Sequence, residues 1–153
     1  MNPVTDPRVP PWAWRLGVAG LIPFVVLAGA AWLPDALRRD AFSFMLVAYG
    51  ATIASFLGAI HWGLAMRDAL DAPAETSAGV YVWGITPALV AWVALLLPAF
   101  AALLTLAVLI WVCYGVDKRL YPRRQAAHWL RMRLWLTTVA SASCLVGAAA
   151  WWR

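Results

Sequence analysis

A chain of 153 residues that is 64% hydrophobic and only 12% charged has too little polar surface for a soluble fold, since soluble domains carry about 25% charged and about 45–50% apolar residues. With a mean hydropathy of +0.75, the solvent that tolerates such a surface is lipid. There the backbone must satisfy its own hydrogen bonds, so helices or closed barrels are the available structures. The apolar stretches are long and unbroken rather than short and alternating, which excludes a barrel. The expected architecture is an all-α integral membrane protein, a single domain over residues 1–153 built as a bundle of about five transmembrane helices.

In chain order, the spans are expected at about residues 16–33, 41–66, 78–97, 99–116 and 134–152. Arg8 and Arg15 followed by Ala28-Gly29-Ala30 also fit the pattern of a cleaved leader. A polytopic protein needs no such leader, and an uncleaved first span is expected. The third and fourth spans form one continuous apolar block, divided here at Pro98, where a helix hairpin can turn. Pro23 and Pro87 each remove a helical N–H and free the carbonyl four residues back, so spans one and three are expected to be proline-kinked alike. Gly20-Leu21-Ile22-Pro23 followed by Pro34 matches Gly84-Ile85-Thr86-Pro87 followed by Pro98 in spacing. A parallel duplication and coincidence both remain open as its origin.

The second span places small residues four apart in two adjacent rows: Gly50, Ala54, Gly58, and beside them Ala51, Ser55, Ala59, Gly63. Small rows let helix backbones approach, and van der Waals contact drives helix association in lipid. Gly50, Ala54, Ser55, Gly58 and Gly63 are therefore the expected helix-packing positions, and this span the central helix. His61 lies along the first row and points into the bundle.

The connections are short, and the basic one runs over residues 117–133. Nine of the twelve basic residues, Arg8, Arg15, Arg67, Lys118, Arg119, Arg123, Arg124, Arg131 and Arg133, fall on one side of a five-span topology. Arg38, Arg39 and Arg153 fall on the other. Basic loops stay cytoplasmic, which predicts a cytoplasmic amino terminus and an external carboxyl terminus. The net charge of +5 is read as attraction to anionic headgroups at the basic loop. Nucleic acid is not an expected partner, because the cations are juxtamembrane. The segment from Tyr121 to Arg133 mixes aromatics with arginines in the manner of an interfacial helix. Of the 11 tryptophans, most fall at span ends, as an indole prefers. Trp92 and Trp111 fall deeper and are expected to pack inside the bundle.

Ionisable groups within a membrane are candidates for function. His61 is the clearest, against the plainer reading of a histidine hydrogen-bonded between helices. Asp117 at the end of the fourth span and Arg133 at the start of the fifth either staple the loop as an ion pair or line one cytoplasmic-side cavity with His61. Tyr49 completes the candidate polar site. No metal is expected, since His128 lies in the basic loop and no HxxxH or ExxH spacing occurs. Cys113 and Cys144 read as small buried hydrophobes. No catalytic motif or cofactor fingerprint is present, so catalytic residues are not assigned and no cofactor is expected.

The segment Tyr49-Gly50-Ala51-x-Ile53-x-Ser55-Phe56-Leu57-Gly58-x-x-x-Trp62-Gly63 resembles the hallmark of the transmembrane protein 69-like family, a bacterial and mitochondrial group also described as a domain of unknown function. Leu16-Gly17-x-Ala19-Gly20-Leu21-Ile22-Pro23-Phe24 is similar to that family's first span. So is the end: Asp117, Trp129, and Arg131-x-Arg133-x-x-Leu136-Thr137. Ala127 departs from the pattern, where a proline is expected. The resemblance covers nearly the whole chain and implies a multi-span protein of the bacterial inner (plasma) membrane or its mitochondrial descendant, with no established activity.

Two functional readings follow. One is a non-enzymatic packing or assembly partner within a membrane complex, or a homo-oligomer, motivated by the small rows and the near absence of soluble mass. The other is a small transporter, or a binder or enzyme acting on a lipid-like molecule such as a quinone, motivated by His61, Tyr49, the proline-interrupted spans and the Asp117–Arg133 end.

Overall fold

A computed structural model describes residues 9–71 and 77–152, and the regular elements among them are all helical. Arg8, Pro73, Glu75 and Arg153 lie outside the described residues. The first span consists of two helices, α1 (Pro11–Ala19) and α2 (Ile22–Ala30), together long and apolar enough to cross a membrane. Pro23 at the second position of α2 has no N–H to give to the preceding turn. The ladder therefore closes on itself at Gly20, whose N–H reaches the Leu16 carbonyl at 2.9 Å, and resumes when Val25 N–H reaches Leu21 at 3.1 Å. The Gly20 carbonyl at this break accepts the Tyr49 hydroxyl at 2.8 Å.

α3 (Ala36–Asp71) is a single helix of 36 residues, about 54 Å at 1.5 Å per residue. That exceeds the roughly 30 Å hydrocarbon core, so α3 projects past the apolar layer. Asp35 starts it, its carboxylate accepting from Leu37 N–H at 2.9 Å. The buried stripe of α3 runs from Ser43 through Leu46, Gly50, Ala54, Gly58 and His61 to Ala65, the spacing of one helix face.

α4 (Ala78–Ala94) returns along α3, begun by Ser77, whose hydroxyl accepts from Gly79 N–H at 3.2 Å. Here the small residues matter. A Cβ at Gly58 would strike the Gly84 carbonyl, and a Cβ at Gly84 would strike the Trp62 indole. That indole spans the two helices, donating to the Tyr81 carbonyl at 2.8 Å. On the α5 side, a Cβ at Gly50 would lie 3.0 Å from Leu106 Cδ1. The second expected row is buried only at Ala51. Ala59 and Gly63 are exposed, and a Cβ at Gly63 would meet nothing within 4 Å. Ser55 is half-buried, its hydroxyl spent on the Ala51 carbonyl at 2.9 Å. A helix 36 residues long presents one face to its neighbours, and that face follows the Gly50–Ala54–Gly58 row.

Spans one and three also prove unlike. Pro23 breaks the first into two helices, whereas α4 runs unbroken through the buried Pro87. Contact with α3 through Gly58 and Trp62 braces α4 at Pro87 and in the turn before it.

A turn over residues 95–97 leads to α5 (Ala99–Leu120), which follows Pro98 directly. α6 (Leu130–Ala149) packs back against α5 and α2. Between α5 and α6 the chain makes two short 3-10 turns, Pro122–Arg124 and Ala127–Trp129, with Gln125 between them at φ 57°. The expected interfacial helix over this stretch is absent: Gln125 takes a left-handed conformation that stops a right-handed helix from continuing. Trp92 and Trp111 face outward, 59% and 42% exposed, because the buried faces of α4 and α5 are set by Ala91, Ala94, Ile110 and Cys113. Their indoles belong to the lipid-facing surface, not to the interior.

α3, α5, the α1–α2 unit and the segment from Ala127 to Trp152 are each long and apolar enough to cross a membrane, and α4 is a shorter apolar helix of 17 residues. At the end away from the basic turn, Trp32 donates to the Val146 carbonyl at 3.1 Å and Trp151 to the Ser43 hydroxyl at 3.3 Å.

Candidate functional site

α3 and α5 run in the same direction and α6 runs back against them, which brings the last third of α3, the last turn of α5 and the first turn of α6 to the same end of the bundle. Each contributes one polar side chain from its buried stripe. His61 follows Gly58 by three residues, Asp117 follows Cys113 by four, and Arg133 precedes Thr137 by four. These are the spacings that keep a residue on one helical face, so His61, Asp117 and Arg133 turn inward together. They are 1%, 2% and 8% exposed.

Asp117 is the hub. Its Oδ1 lies 2.8 Å from His61 Nε2, and its Oδ2 accepts from Arg133 Nε at 2.7 Å. An ionised carboxylate only accepts, so Nε2 carries the proton in this contact. Arg133 Nη2 is 2.6 Å from the same Oδ2 but out of line for a hydrogen bond, and it makes none elsewhere. The Asp117 carboxylate and the Arg133 guanidinium balance one another, and that pairing is what makes their desolvation tolerable. His61 Nδ1 has no partner within the chain.

Tyr121, one residue beyond α5, stacks at a tilt on His61 with ring centroids 6.0 Å apart. Burial, together with the nearby Asp117 carboxylate, pushes its phenol up to about 12, so it stays protonated at physiological pH. A second ion pair, Arg124 to Asp68 at 3.5 Å, links the projecting end of α3 to the turn.

The structure brings together three of the four expected polar residues. Tyr49 stands apart: it precedes His61 by twelve residues, about 18 Å along the helix axis, and its hydroxyl is committed to Gly20. Its role is to close the break between α1 and α2.

Beside the cluster lies a cavity of about 520 Å³ between α1, α2, α3, α5 and α6. Leu16, Phe24, Ile53, Ile60 and Leu136 make much of its wall, Tyr121 and Trp129 line its basic-turn end, and Arg133 and Thr137 also border it. Sequence reasoning quoted Thr137 only as part of a family pattern and gave it no role. Its signal was the four-residue interval from Arg133, which puts both on one face of α6. The hydroxyl of Thr137 sets it apart. Thr52, Thr86, Thr105 and Thr138 each donate to a carbonyl of their own helix, at 2.7 to 2.9 Å. Thr137 is 1% exposed and its Oγ1 has no partner in the chain. Leaving a buried hydroxyl unbonded costs about 1–3 kcal/mol.

No group of three metal-ligating side chains occurs among the described residues, and Cys113 and Cys144 are separate buried thiols. What the arrangement offers chemically is an apolar chamber beside a buried ion-paired cluster.

The chain is similar to known proteins in ways that fit this picture. Residues 9–149 match the family described as "Protein of unknown function (DUF3429)". Over 89 residues, 55% of this chain, it is 39% identical to Transmembrane protein 69 of Xenopus tropicalis. That alignment spans 32% of the Xenopus protein, so this chain corresponds to about a third of that relative. No solved structure matches. With four membrane-length helices among the described residues and a family match over residues 9–149, the chain belongs to this transmembrane protein 69-like family, DUF3429.

Proposed function

We propose that this membrane protein binds an amphiphilic small molecule in the chamber between α1, α3 and α6. One observation carries the reading: an almost wholly apolar cavity of about 520 Å³ enclosed between the helices, with Arg133 and Thr137 bordering it. A concave, mainly apolar chamber of that volume has the form of a small-molecule site. The assembly-partner reading loses its main support. Gly58 is occupied by α4 and Gly50 by α5 within the chain itself, so the small rows call for no second protein.

We further propose residence in the bacterial inner membrane with a cytoplasmic amino terminus and an external carboxyl terminus. Supporting this, Arg67, Lys118, Arg119, Arg123, Arg124 and Arg131 gather where α3 and α5 end and α6 begins, facing anionic headgroups, while Arg38 and Arg39 lie at the other end.

The binding reading is tested by purifying the full chain in mild detergent and identifying co-purifying molecules by native mass spectrometry. Ala140→Phe, which fills the cavity from the buried face of α6, serves as control. A species retained by the wild-type chain and lost from a folded Ala140→Phe variant is expected. Equal retention of bulk phospholipid by both, with nothing else, overturns the reading.

A further inference from the structure

Resting on the cavity as a ligand site, we infer that its occupant is one acyl chain of a phospholipid from the leaflet on the basic-turn side, with the phosphate head left outside. The dimensions of the cavity select a single chain. Its lining runs from Ile53 to Leu64 on α3, from Ile110 to Tyr121 along α5, and from Trp129 to Ala140 along α6. Each is an interval of eleven residues, about 16 Å along a helix axis. The cavity is therefore a slot along the bundle, about half as deep as the roughly 30 Å hydrocarbon core, which is the depth of one leaflet. An extended chain advances roughly 1.3 Å per carbon, given carbon–carbon bonds of about 1.5 Å, so about 12 carbons cover that length. Volume gives a similar figure. A methylene displaces about as much space as one water in the liquid, roughly 30 Å³, so a cavity of about 520 Å³ holds about 17 of them. Length and volume agree on one long chain, and two would need twice the space.

The walls decide which part of the lipid enters. Arg133 Nη2 and the Thr137 hydroxyl are buried away from the cavity surface, so hydrogen bonding selects nothing inside it and hydrocarbon fits best. At the deep end stands Phe24, held edge-on against Tyr49 with ring centroids 5.1 Å apart. Sideways, the cavity meets the bilayer. α1 leans on α6, where Gly17 faces Met132 and Leu136. Between α1 and α3 the outer wall is made by Leu16 and Phe56, which line the cavity and are exposed on the lipid side. A chain can slip past these two side chains without leaving the hydrocarbon layer. The remaining end lies at the basic turn, where Trp129 lines the cavity and an indole marks the headgroup level. Arg15 on α1, Arg123 in the turn and Arg131 on α6 are exposed at this end of the bundle. Cations at headgroup level attract an anionic phosphate head. A quinone ring, being uncharged, gains nothing from them, and this favours a phospholipid as the source of the chain.

The experiment uses the full chain in a sterol-based detergent, which has no alkyl chain to compete for the slot. The probes are phosphatidylglycerols with chains of eight, twelve or sixteen carbons, the sixteen-carbon diacylglycerol, and a long-chain quinone. Binding is read as molecules retained per protein by native mass spectrometry, together with the shift in unfolding temperature. The wild-type chain is expected to retain one sixteen-carbon phosphatidylglycerol and to bind it at least about tenfold more tightly than the eight-carbon one, because each further buried methylene adds to the hydrophobic gain. The diacylglycerol should bind about fivefold more weakly, the effect of one surface cation on an anionic head. Ala140→Phe fills the deep end of the slot and should reverse the order of the twelve- and sixteen-carbon lipids. A quinone or diacylglycerol that the wild type retains in preference to every phosphatidylglycerol, and that Ala140→Phe loses, overturns the phospholipid-chain inference and leaves the cavity reading intact. If Ala140→Phe retains every probe as the wild type does, or if the wild type retains none, the cavity reading itself fails, and this inference with it.

Discussion

Replacing Asp117 with Asn removes one charge while nearly preserving shape, and the structure specifies what should follow. Both carboxylate oxygens are engaged, one with His61 at 2.8 Å and one with Arg133 at 2.7 Å. An amide retains one acceptor oxygen and replaces the other with a donor, which faces either the Nε2 proton or the guanidinium. Arg133 is then a buried cation without a counter-charge. Breaking a buried pair in this way costs about 3–5 kcal/mol. The Arg133 side chain keeps about 10% of its exposure and lies near the headgroup level, so the lower end, about 3 kcal/mol, is expected. Adding Arg133→Gln to Asp117→Asn removes the orphaned charge and should bring stability back to within about 1–2 kcal/mol of wild type, because neutral replacement of a buried pair is far cheaper than halving it. The assay is reversible unfolding in mixed micelles for the wild type, both single variants and the double variant, read as a double-mutant cycle. An Asp117→Asn variant within about 1 kcal/mol of wild type would refute the argument, as would a coupling energy near zero.

Thr137→Val should stabilise the ligand-free protein by about 1 kcal/mol, because it removes an unbonded buried hydroxyl without changing volume; thermal unfolding in detergent checks the sign. Gly58→Ala should cost about 2 kcal/mol or more, since its Cβ meets the Gly84 backbone carbonyl and overpacking costs typically 1–3 kcal/mol. Gly63→Ala, placed in open space, should gain up to about 1 kcal/mol from helix propensity, and the two variants compared by the same unfolding titration test the packing assignment. His61→Gln, which keeps a donor for Asp117, should cost less than His61→Leu, which removes it; similar losses in the two would count against the His61–Asp117 bond. Reporter fusions at the two termini should score cytoplasmic at the amino end and external at the carboxyl end.

Much of the fold was legible because lipid leaves few alternatives. Apolar runs of span length must be helical, and the turn before Pro98 follows from a proline that cannot continue a helix. What escaped was geometry that depends on neighbours. Two rows of small residues on α3 are equivalent in sequence, yet only the Gly50–Ala54–Gly58 row is buried throughout, because α4 and α5 approach from that side and leave Ala59 and Gly63 outside. Pro23 and Pro87 are likewise matched in spacing. The first breaks its span, while the second sits inside a helix braced by Gly58 and Trp62 of α3. Trp92 and Trp111 were placed in the interior by depth alone, but depth along a span does not determine which way a side chain faces.

The polar site was legible in part for the same reason. His61, Asp117 and Arg133 are ionisable groups at one end of three spans, and antiparallel packing must bring those ends together. Their mutual distances and the cavity beside them depend on the breadth of the gap between α1 and α6, which no local pattern encodes. Thr137 was the harder residue to see, because a threonine within a membrane helix ordinarily bonds its own backbone, as Thr86, Thr105 and Thr138 do. Its distinction is a bond it does not make. A staple between α5 and α6 needs only Asp117 and Arg133. The third member, His61, takes the remaining carboxylate oxygen, so Asp117 is held by two donors from two other helices, and the cluster ties α3 to the same end of the bundle as the turn between α5 and α6.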